Sequence, residues 1–200
     1  MVRNASLITV VKIDKKFYYL VQVREANRPE FNPGEYPFIF PGACSLFGGA
    51  LEENEDAKKG FERELQEELP GVIFSGELKH RCYNWKKQTK KILEKANSVF
   101  NKNVNCFLGF NMNDLVPQCA LGKNRGKTLT YSDWISMTEE DHFYIGEIEL
   151  EKINDLIIKE GKCAVLIPHQ AIKSLIMVPT DKLAILDDLM IRIEAGEIEI

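Results

Sequence analysis

Residues 48–72 read GGALEENEDAKKGFERELQEELPGV, a glycine pair followed by a charged stretch that stops at Pro70-Gly71. Six acidic residues lie between Leu51 and Leu65, and Glu67 and Glu68 follow at once, more than a solvated helix face needs. The stretch predicts a helix from about Asn54 or Glu55 to Leu69, with Asn54 as N-cap and first-turn acids that suit the macrodipole. At about 3.6 residues per turn, Ala57, Phe61 and Leu65 form an apolar arc for the core. Glu64, Glu67 and Glu68 form one stripe beside that arc, at i, i+3 and i+4. Glu64 and Glu68 fall nearly in line with Ala57 and so point towards the protein. Carboxylates crowded on that border repel one another and lose hydration, at roughly several kcal/mol per uncompensated charge. A bound divalent cation removes the difficulty. A merely solvated face would carry lysines four residues from its acids; Lys58 and Lys59 do so for the first turns, and only Arg63 accompanies the second half. Gly60 costs about 1 kcal/mol against Ala in a helix interior, so it either permits close packing or is tolerated drift.

Upstream, Ala5 to Ile13 and Phe17 to Val23 are rich in β-branched residues around a charged turn at Asp14-Lys15-Lys16, which predicts a β-hairpin with Arg24 near the end of its second strand. Between Glu25 and Pro41, the residues Pro29, Pro33, Gly34, Pro37 and Pro41 exclude regular structure. They predict an ordered loop, anchored by Phe31, Tyr36, Phe38 and Phe40, of the kind that shapes a pocket rim. Leu46-Phe47 then leads a short strand into Gly48-Gly49, where the absence of a Cβ lets the backbone approach another group closely.

Downstream, strands are expected at Val72 to Tyr83, Val104 to Phe110, Thr128 to Ser132 and His142 to Leu150. Trp85 to Lys95, with five lysines, predicts a short basic helix, and Gly122 to Lys127 (GKNRGK) is a second basic stretch. Such runs most often mean a solvated face, with recruitment of a phosphorylated substrate or of RNA as the other reading. A short helix near Glu151 to Ile158, a turn at Lys159-Glu160-Gly161-Lys162 and a strand from Cys163 to Ile167 follow. The last element is a helix from Pro179-Thr180 to about Ala195, whose Leu183, Leu186, Met190 and Ile193 form a core stripe and whose stop is Gly196.

The 200 residues suffice for one domain carrying an insertion. With 44% hydrophobic and 28% charged residues and a mean hydropathy of −0.22, the composition is that of a soluble globular protein. A net charge of −4 argues against a general nucleic-acid binder. Five scattered cysteines without a CxxC pair suggest neither a disulfide framework nor a zinc ribbon, and reduced thiols in a cytoplasmic protein are the expectation. The run Leu7 to Ile13 is too short and too polar for a signal or membrane segment. His80, His142 and His169 lack metal-ligand spacing and read as structural or surface residues. A homodimer is the common default for assembly.

The spacing Gly49, five residues, Glu55, seven residues, then Arg63-Glu64-Leu65-x-Glu67-Glu68 resembles the Nudix box, the signature of the Nudix hydrolases. One departure follows the paired acids: the family has a single residue and then Gly, whereas this chain has Leu69-Pro70-Gly71. The resemblance implies an α/β (α+β) Nudix fold, an α-β-α sandwich around a mixed sheet, with the extra length falling at about 84–128. It implies a Mg2+-dependent pyrophosphohydrolase, Mn2+ serving as a substitute, that cleaves a nucleoside diphosphate-linked small molecule. By carry-over, Glu64, Glu67 and Glu68 bind metal, Arg63 orients Glu64 through a charge-assisted pair, Gly49 offers its backbone beside Gly48, and Glu55 braces the loop. In the MutT-like branch a Glu in a similar Glu-Gly turn reaches back to the metal centre, and Glu160 holds the matching place. Arg24, at the end of an early strand, is the candidate for substrate phosphate or base, and Phe40 for stacking on a base. The water-activating base is a box glutamate or Glu160. The wording Ser45-Leu46-Phe47-Gly48-Gly49 resembles a bacterial MutT-like group of unassigned specificity, so nucleoside triphosphates, nucleotide sugars and ADP-ribose all stay open. The rival from another class is a Nudix-fold module that senses a nucleotide without cleaving it; such modules show a broken box, and this one is intact through Glu68.

Overall fold

The computed structural model describes residues 2–14, 16–25, 40–100, 104–121 and 124–198. The expected hairpin is formed by β1 (Val2–Ile13) and β2 (Lys16–Val23), which pair antiparallel from Thr9↔Leu20 to Ile13↔Lys16 around Asp14, whose φ of 47° is left-handed. Beyond that pairing the two strands part. The edge of β2 is taken at Gln22–Val23 by β3 (Cys44–Ser45), and the edge of β1 at Asn4–Leu7 by β4 (Phe47–Ala50). On its other side β1 runs parallel to β6 (Thr138–Ile148), which pairs antiparallel with β5 (Lys79–Tyr83), and β2 pairs antiparallel with β7 (Cys163–Pro168). The sheet is thus mixed, in the order β3-β2-β1-β6-β5, with β4 and β7 joined to β1 and β2.

Strand alternation sorts side chains into two cores. Ala5, Leu7, Leu20 and Tyr144 face one side, where they pack with Phe47, Phe61 and Leu69 beneath α1 (Ala57–Glu68). Ile8, Val10, Tyr19, Val21, Phe143 and Ile145 face the other, under α2 (Trp85–Val99) and α6 (Pro179–Glu194). The result is an α-β-α sandwich. Leu183, Leu186 and Met190 are buried as the expected stripe, and Gly196, with φ 71°, follows the helix end. The same helix also buries charge that the apolar stripe does not reveal. Asp188 accepts hydrogen bonds from the Tyr19 hydroxyl and from Arg192, both at 2.8 Å, and Asp187 accepts one from the Tyr83 hydroxyl at 2.6 Å. Among the described residues, no helix is long and apolar enough to cross a membrane.

Several expected strands are otherwise. Only Lys79–Tyr83 of the stretch from Val72 joins the ladder; Phe74 and Leu78 instead lie against Gly146, where an added Cβ would collide with both side chains. Val104 to Phe110 forms α3 (Val104–Leu108), closed by the Gly109 N–H donating to Asn105 O with φ 76° at the glycine. Thr128 to Ser132 leads into α4 (Tyr131–Ser136), because Thr130 and Asp133 make a reciprocal capping box that outweighs the β-propensity of the segment. The basic helix is longer than expected, reaching Val99, and it buries Trp85, Ile92 and Ala96 while its lysines face outward. The short helix after β6 is α5 (Leu150–Ile153).

Candidate active site

Helix α1 begins later than expected. Asp56, not Asn54, is the N-cap: its carboxylate accepts from the N–H groups of Lys58 and Lys59, while Asn54 adopts a left-handed φ of 61° in the turn before it. Glu55 is thereby freed from the helix and turns back into the loop, where it accepts from Glu52 N–H at 2.8 Å and from Arg63 through both carboxylate oxygens, each at 3.1 Å. Gly60 is a packing glycine, since a Cβ there would strike the Leu51 side chain and approach the Glu55 carboxylate at 2.8 Å. The helix ends at Glu68, with buried Leu69 as C-cap and Gly71 at φ 76°. Pro70-Gly71 accordingly stops the helix without disturbing the turn that carries the acids.

Arg63 organises that turn. Its guanidinium reaches Glu55 through Nε and Nη2, Ala50 O through Nη2 at 3.2 Å, Glu64 through Nη1 at 2.7 Å and Glu67 at 3.5 Å. These contacts hold the Arg63 pKa above its ordinary value, the bond to Glu55 contributing most, and the same pair lowers that of Glu55. The three-acid stripe divides here: Glu64 and Glu68 turn inward, with side-chain exposure of 14% for Glu64 and 6% residue exposure for Glu68, whereas the Glu67 side chain is 54% exposed.

Glu68 accepts from the Gly48 N–H and from the Gln22 side-chain amide at 3.1 Å, and Gln22 also donates to Leu46 O at 3.1 Å. Gln22 is a positioning residue that sequence reading missed. Its signal was a lone amide on the buried stretch of β2, which otherwise runs Tyr19-Leu20-Val21. Burial pushes the Glu68 carboxyl up to about 7, against the pull of Gly48 and Gln22, and burial likewise raises Glu64 against the pull of Arg63. Glu160 adds to both shifts, because it faces the same cleft. Its turn is fastened at two points: Lys159 N–H donates to Glu68 O at 3.0 Å, and Lys162 N–H to Val23 O at 2.9 Å. Gly161, at φ 79°, fits against Gln22, whose Oε1 would lie 2.8 Å from an added Cβ.

The glycine pair forms the opposite wall. Gly48, at φ 130°, lies against the Ala5 carbonyl, and a Cβ on Gly49 would sit 2.5 Å from a Glu64 carboxylate oxygen, so only glycine lets the backbone come this close. Gly48, Gly49, Glu64, Glu68, Glu160 and Arg24 thus line one cleft of about 310 Å³. The structure does not bring Phe40 to it: Phe40 is buried, with its ring edge-on to Trp134 at 5.1 Å. Phe31, Tyr36 and Phe38 lie outside the described residues, as do Gly122 and Lys123 of the second basic stretch.

Two solved structures share this architecture. A mutT/nudix family protein from Listeria innocua aligns over 98% of this chain and 94% of its own, with a TM-score of 0.52 at 13% identity. The binary complex of a C. elegans Ap4A hydrolase aligns over 98% and 99%, with a TM-score of 0.50 at 12% identity. The chain has the Nudix fold. No protein-family model and no curated protein sequence matches it. At such identities the likeness carries the fold alone, and the chemistry has to come from the cleft. Its donors are carboxylate oxygens and backbone groups, all hard, and two of its carboxyls are raised by burial, a set suited to a hard divalent cation. Among the described residues, no three His, Cys, Asp or Glu side chains stand close enough together to enclose an ion as they are placed. An ion here would be held by Glu64 and Glu68, the two box carboxylates that line the cleft.

Proposed function

We propose that the protein is a Nudix pyrophosphohydrolase, dependent on Mg2+ or Mn2+, that hydrolyses a phosphoanhydride bond in a nucleoside diphosphate-linked compound. The observation that carries this reading is the convergence of Glu64, Glu68 and Glu160 from two separate elements on a cleft walled by the Gly48-Gly49 backbone. An acidic cleft repels a diphosphate unless cations neutralise it, and a bound divalent ion supplies charge compensation and a water of lowered pKa. In this reading Glu64 and Glu68 would hold the ion, with the Gly49 backbone beside them, and Glu67, which is exposed and paired with Arg63, would complete the set of box carboxylates. Arg63 is a positioning residue: tied to Glu55 and Ala50, it fixes the rotamer of Glu64. Gln22 and Gly48 do the same for Glu68. Glu160 arrives from outside the box and is the group left to accept the proton of the attacking water. Arg24 lines the same cleft and is, in this reading, the group that meets substrate phosphate.

The chain is proposed as one domain with an insertion at about 84–128; of the described residues there, Trp85, Ile92, Leu108 and Leu121 belong to the same core as Leu183 and Met190 of α6. The test is a panel of nucleoside triphosphates, ADP-ribose, nucleotide sugars and dinucleoside polyphosphates, assayed with Mg2+ or Mn2+ and with chelator. Turnover that needs the metal and releases two phosphorylated products is expected. Metal-dependent nucleotide binding without turnover of any compound would sink the enzyme reading in favour of a sensing module.

A further inference from the structure

Two cavities adjoin each other at the glycine pair: the acidic cleft, and one of about 270 Å³ lined by Asp141 and Asp181. A third, of about 390 Å³, shares no lining residue with either among the described residues. Phe40, Phe110 and Tyr131 give it an aromatic wall, with the Phe110 and Tyr131 rings stacked at 4.2 Å and Phe40 tilted against Tyr131 at 6.5 Å. Leu175, Ile176 and Met177, on the run that leads into α6, add aliphatic wall. Ile176 lines the cavity and is still 78% exposed, so an apolar side chain faces solvent at this place.

The charge around this cavity has one sign. None of its described lining residues is an acid, although the chain carries a net charge of −4. Lys173, an exposed residue, lines it directly. Lys182 stands behind its wall: only 1% exposed, it donates from Nζ to Lys173 O at 3.2 Å and to Leu175 O at 2.6 Å. A Cβ on Gly109 would lie 3.8 Å from the same nitrogen, and Gly109, Lys173 and Leu175 all line the cavity. A lysine this deeply buried ordinarily has a carboxylate partner, and among the described residues Lys182 has none. The two carbonyls take two of its three N–H donors and leave the charge itself uncompensated. Burial pushes the Lys182 pKa down to about 8, with Cys44 pulling the other way, so the ammonium form still predominates near neutral pH.

These features define a ligand. An acid-free lining with one ammonium on it and another behind it refuses a cation and favours an anion, and away from water the Lys182 field reaches across the Gly109 backbone. Aromatic and aliphatic walls ask for an apolar body, and the volume lies within the roughly 300–1,000 Å³ of small-molecule sites. A diphosphate calls for several donors at once, which two lysines, one of them behind the wall, do not supply. We propose that this cavity is a ligand site for a compact monocarboxylate with an aromatic or branched apolar body, its carboxylate held at the end marked by Lys173 and Lys182. The site is separate from the acidic cleft and does not rest on the hydrolase reading.

The test uses the full chain, isotope-labelled for NMR and titrated with phenylacetate and isovalerate, with phenylacetamide and phenethylamine as neutral and cationic counterparts. Saturable shifts of the Gly109, Phe110, Tyr131 and Leu175 to Met177 amides are expected with the carboxylates. Phenylacetamide is expected to bind at least about tenfold more weakly than phenylacetate, and phenethylamine not at all. Lys182→Met keeps an apolar stem and removes the charge; it is expected to weaken the carboxylates by at least about tenfold and to leave phenylacetamide within about twofold. No binding of any probe, equal affinity for acid and amide, binding of the amine, or shifts that fall elsewhere overturn the site. Carboxylate affinity unchanged in Lys182→Met overturns it as well. Should Lys182→Met fail to fold, Lys173→Met decides, because that side chain is exposed: a loss of about 2- to 5-fold for the carboxylates alone supports the site, and no change overturns it. Shifts of the same amides that grow with protein concentration without any probe identify a second copy as the occupant and also overturn it.

Discussion

Glu68 is 6% exposed, and its carboxyl stands near 7 instead of its ordinary 4.5, chiefly through burial. Glu68→Gln removes the charge and keeps the shape. A shift of about 2.5 units at about 1.4 kcal/mol each corresponds to about 3 kcal/mol of destabilisation when Glu68 is ionised. The amide returns part of that gain. Gly48 N–H and the Gln22 amide both donate to Glu68, and a glutamine oxygen can serve only one of them, which costs about 1–2 kcal/mol. The net expectation is a variant about 1–2 kcal/mol more stable than wild type at pH 8.5 in chelator, or several degrees in Tm for a chain of this size. The sign follows from linkage: the folded-state pKa lies above the unfolded one, so wild-type stability is fully present below pH 4.5 and is lost as pH rises towards 7. The advantage of the variant therefore opens across that window and vanishes at its acid end, where the lost hydrogen bond leaves it the weaker protein. Thermal unfolding by circular dichroism from pH 4.5 to 9 reads the effect, and turnover with Mg2+ should fall by at least about 100-fold in the same variant. A variant that melts at or below wild type at pH 8.5, or whose Tm difference does not change with pH, would refute the reasoning.

Gly60→Ala should lower stability by about 1–3 kcal/mol although alanine is the better helix former by about 1 kcal/mol, because its methyl enters space held by Leu51 and the Glu55 carboxylate; an unchanged or raised Tm contradicts that packing. Arg63→Lys keeps the charge but loses the fork that reaches Glu55, Ala50 O and Glu64 together, so kcat should fall by about 10- to 100-fold with KM nearly constant. Steady-state kinetics that return a near-normal kcat would show that Glu64 does not depend on that fork.

Legibility of this chain tracked how local each signal was. The hairpin, α1, the turn at Lys159–Lys162 and α6 each rest on a periodicity or a turn within one segment, and all were readable. The acid stripe was readable as a stripe, but its division was not: Glu64 and Glu68 go inward and Glu67 outward because β4 and β2 lie on one side of the helix only, which helix phase alone does not state. The N-cap was misplaced by two residues because Asn54 and Asp56 are both favoured capping types, and Asp56 takes the place while Arg63, eight positions on, holds Glu55 in the loop before it. The strands expected at Val104 and Thr128 failed where β-branched composition competed with a capping box or a closing glycine. Asp181 and Asp141 were missed for a different reason. Each looks like an ordinary polar residue of a helix start or a strand, and only the meeting of α6, β6 and β3 makes them neighbours of one cavity.

That meeting has a single structural cause. β1 and β2 pair tightly near their turn and then diverge, and the segment Cys44–Ala50 is wedged between them, pairing β2 through β3 and β1 through β4. Leu46, between the two short strands, presents its N–H to Asp181 and its carbonyl to Gln22. One peptide run therefore ties Asp181 to Gln22, the residue that holds Glu68. The glycines that follow form the wall common to both cavities, and a Cβ at either would close the approach to Ala5 or to Glu64. The two cavities share the Gly48–Ala50 backbone, and one is lined by Glu64 and Glu68 of α1, the other by Thr180 and Asp181 of α6. Both cavities are in that arrangement set by one insertion into the sheet, with their walls drawn from the two helical layers that the sheet separates.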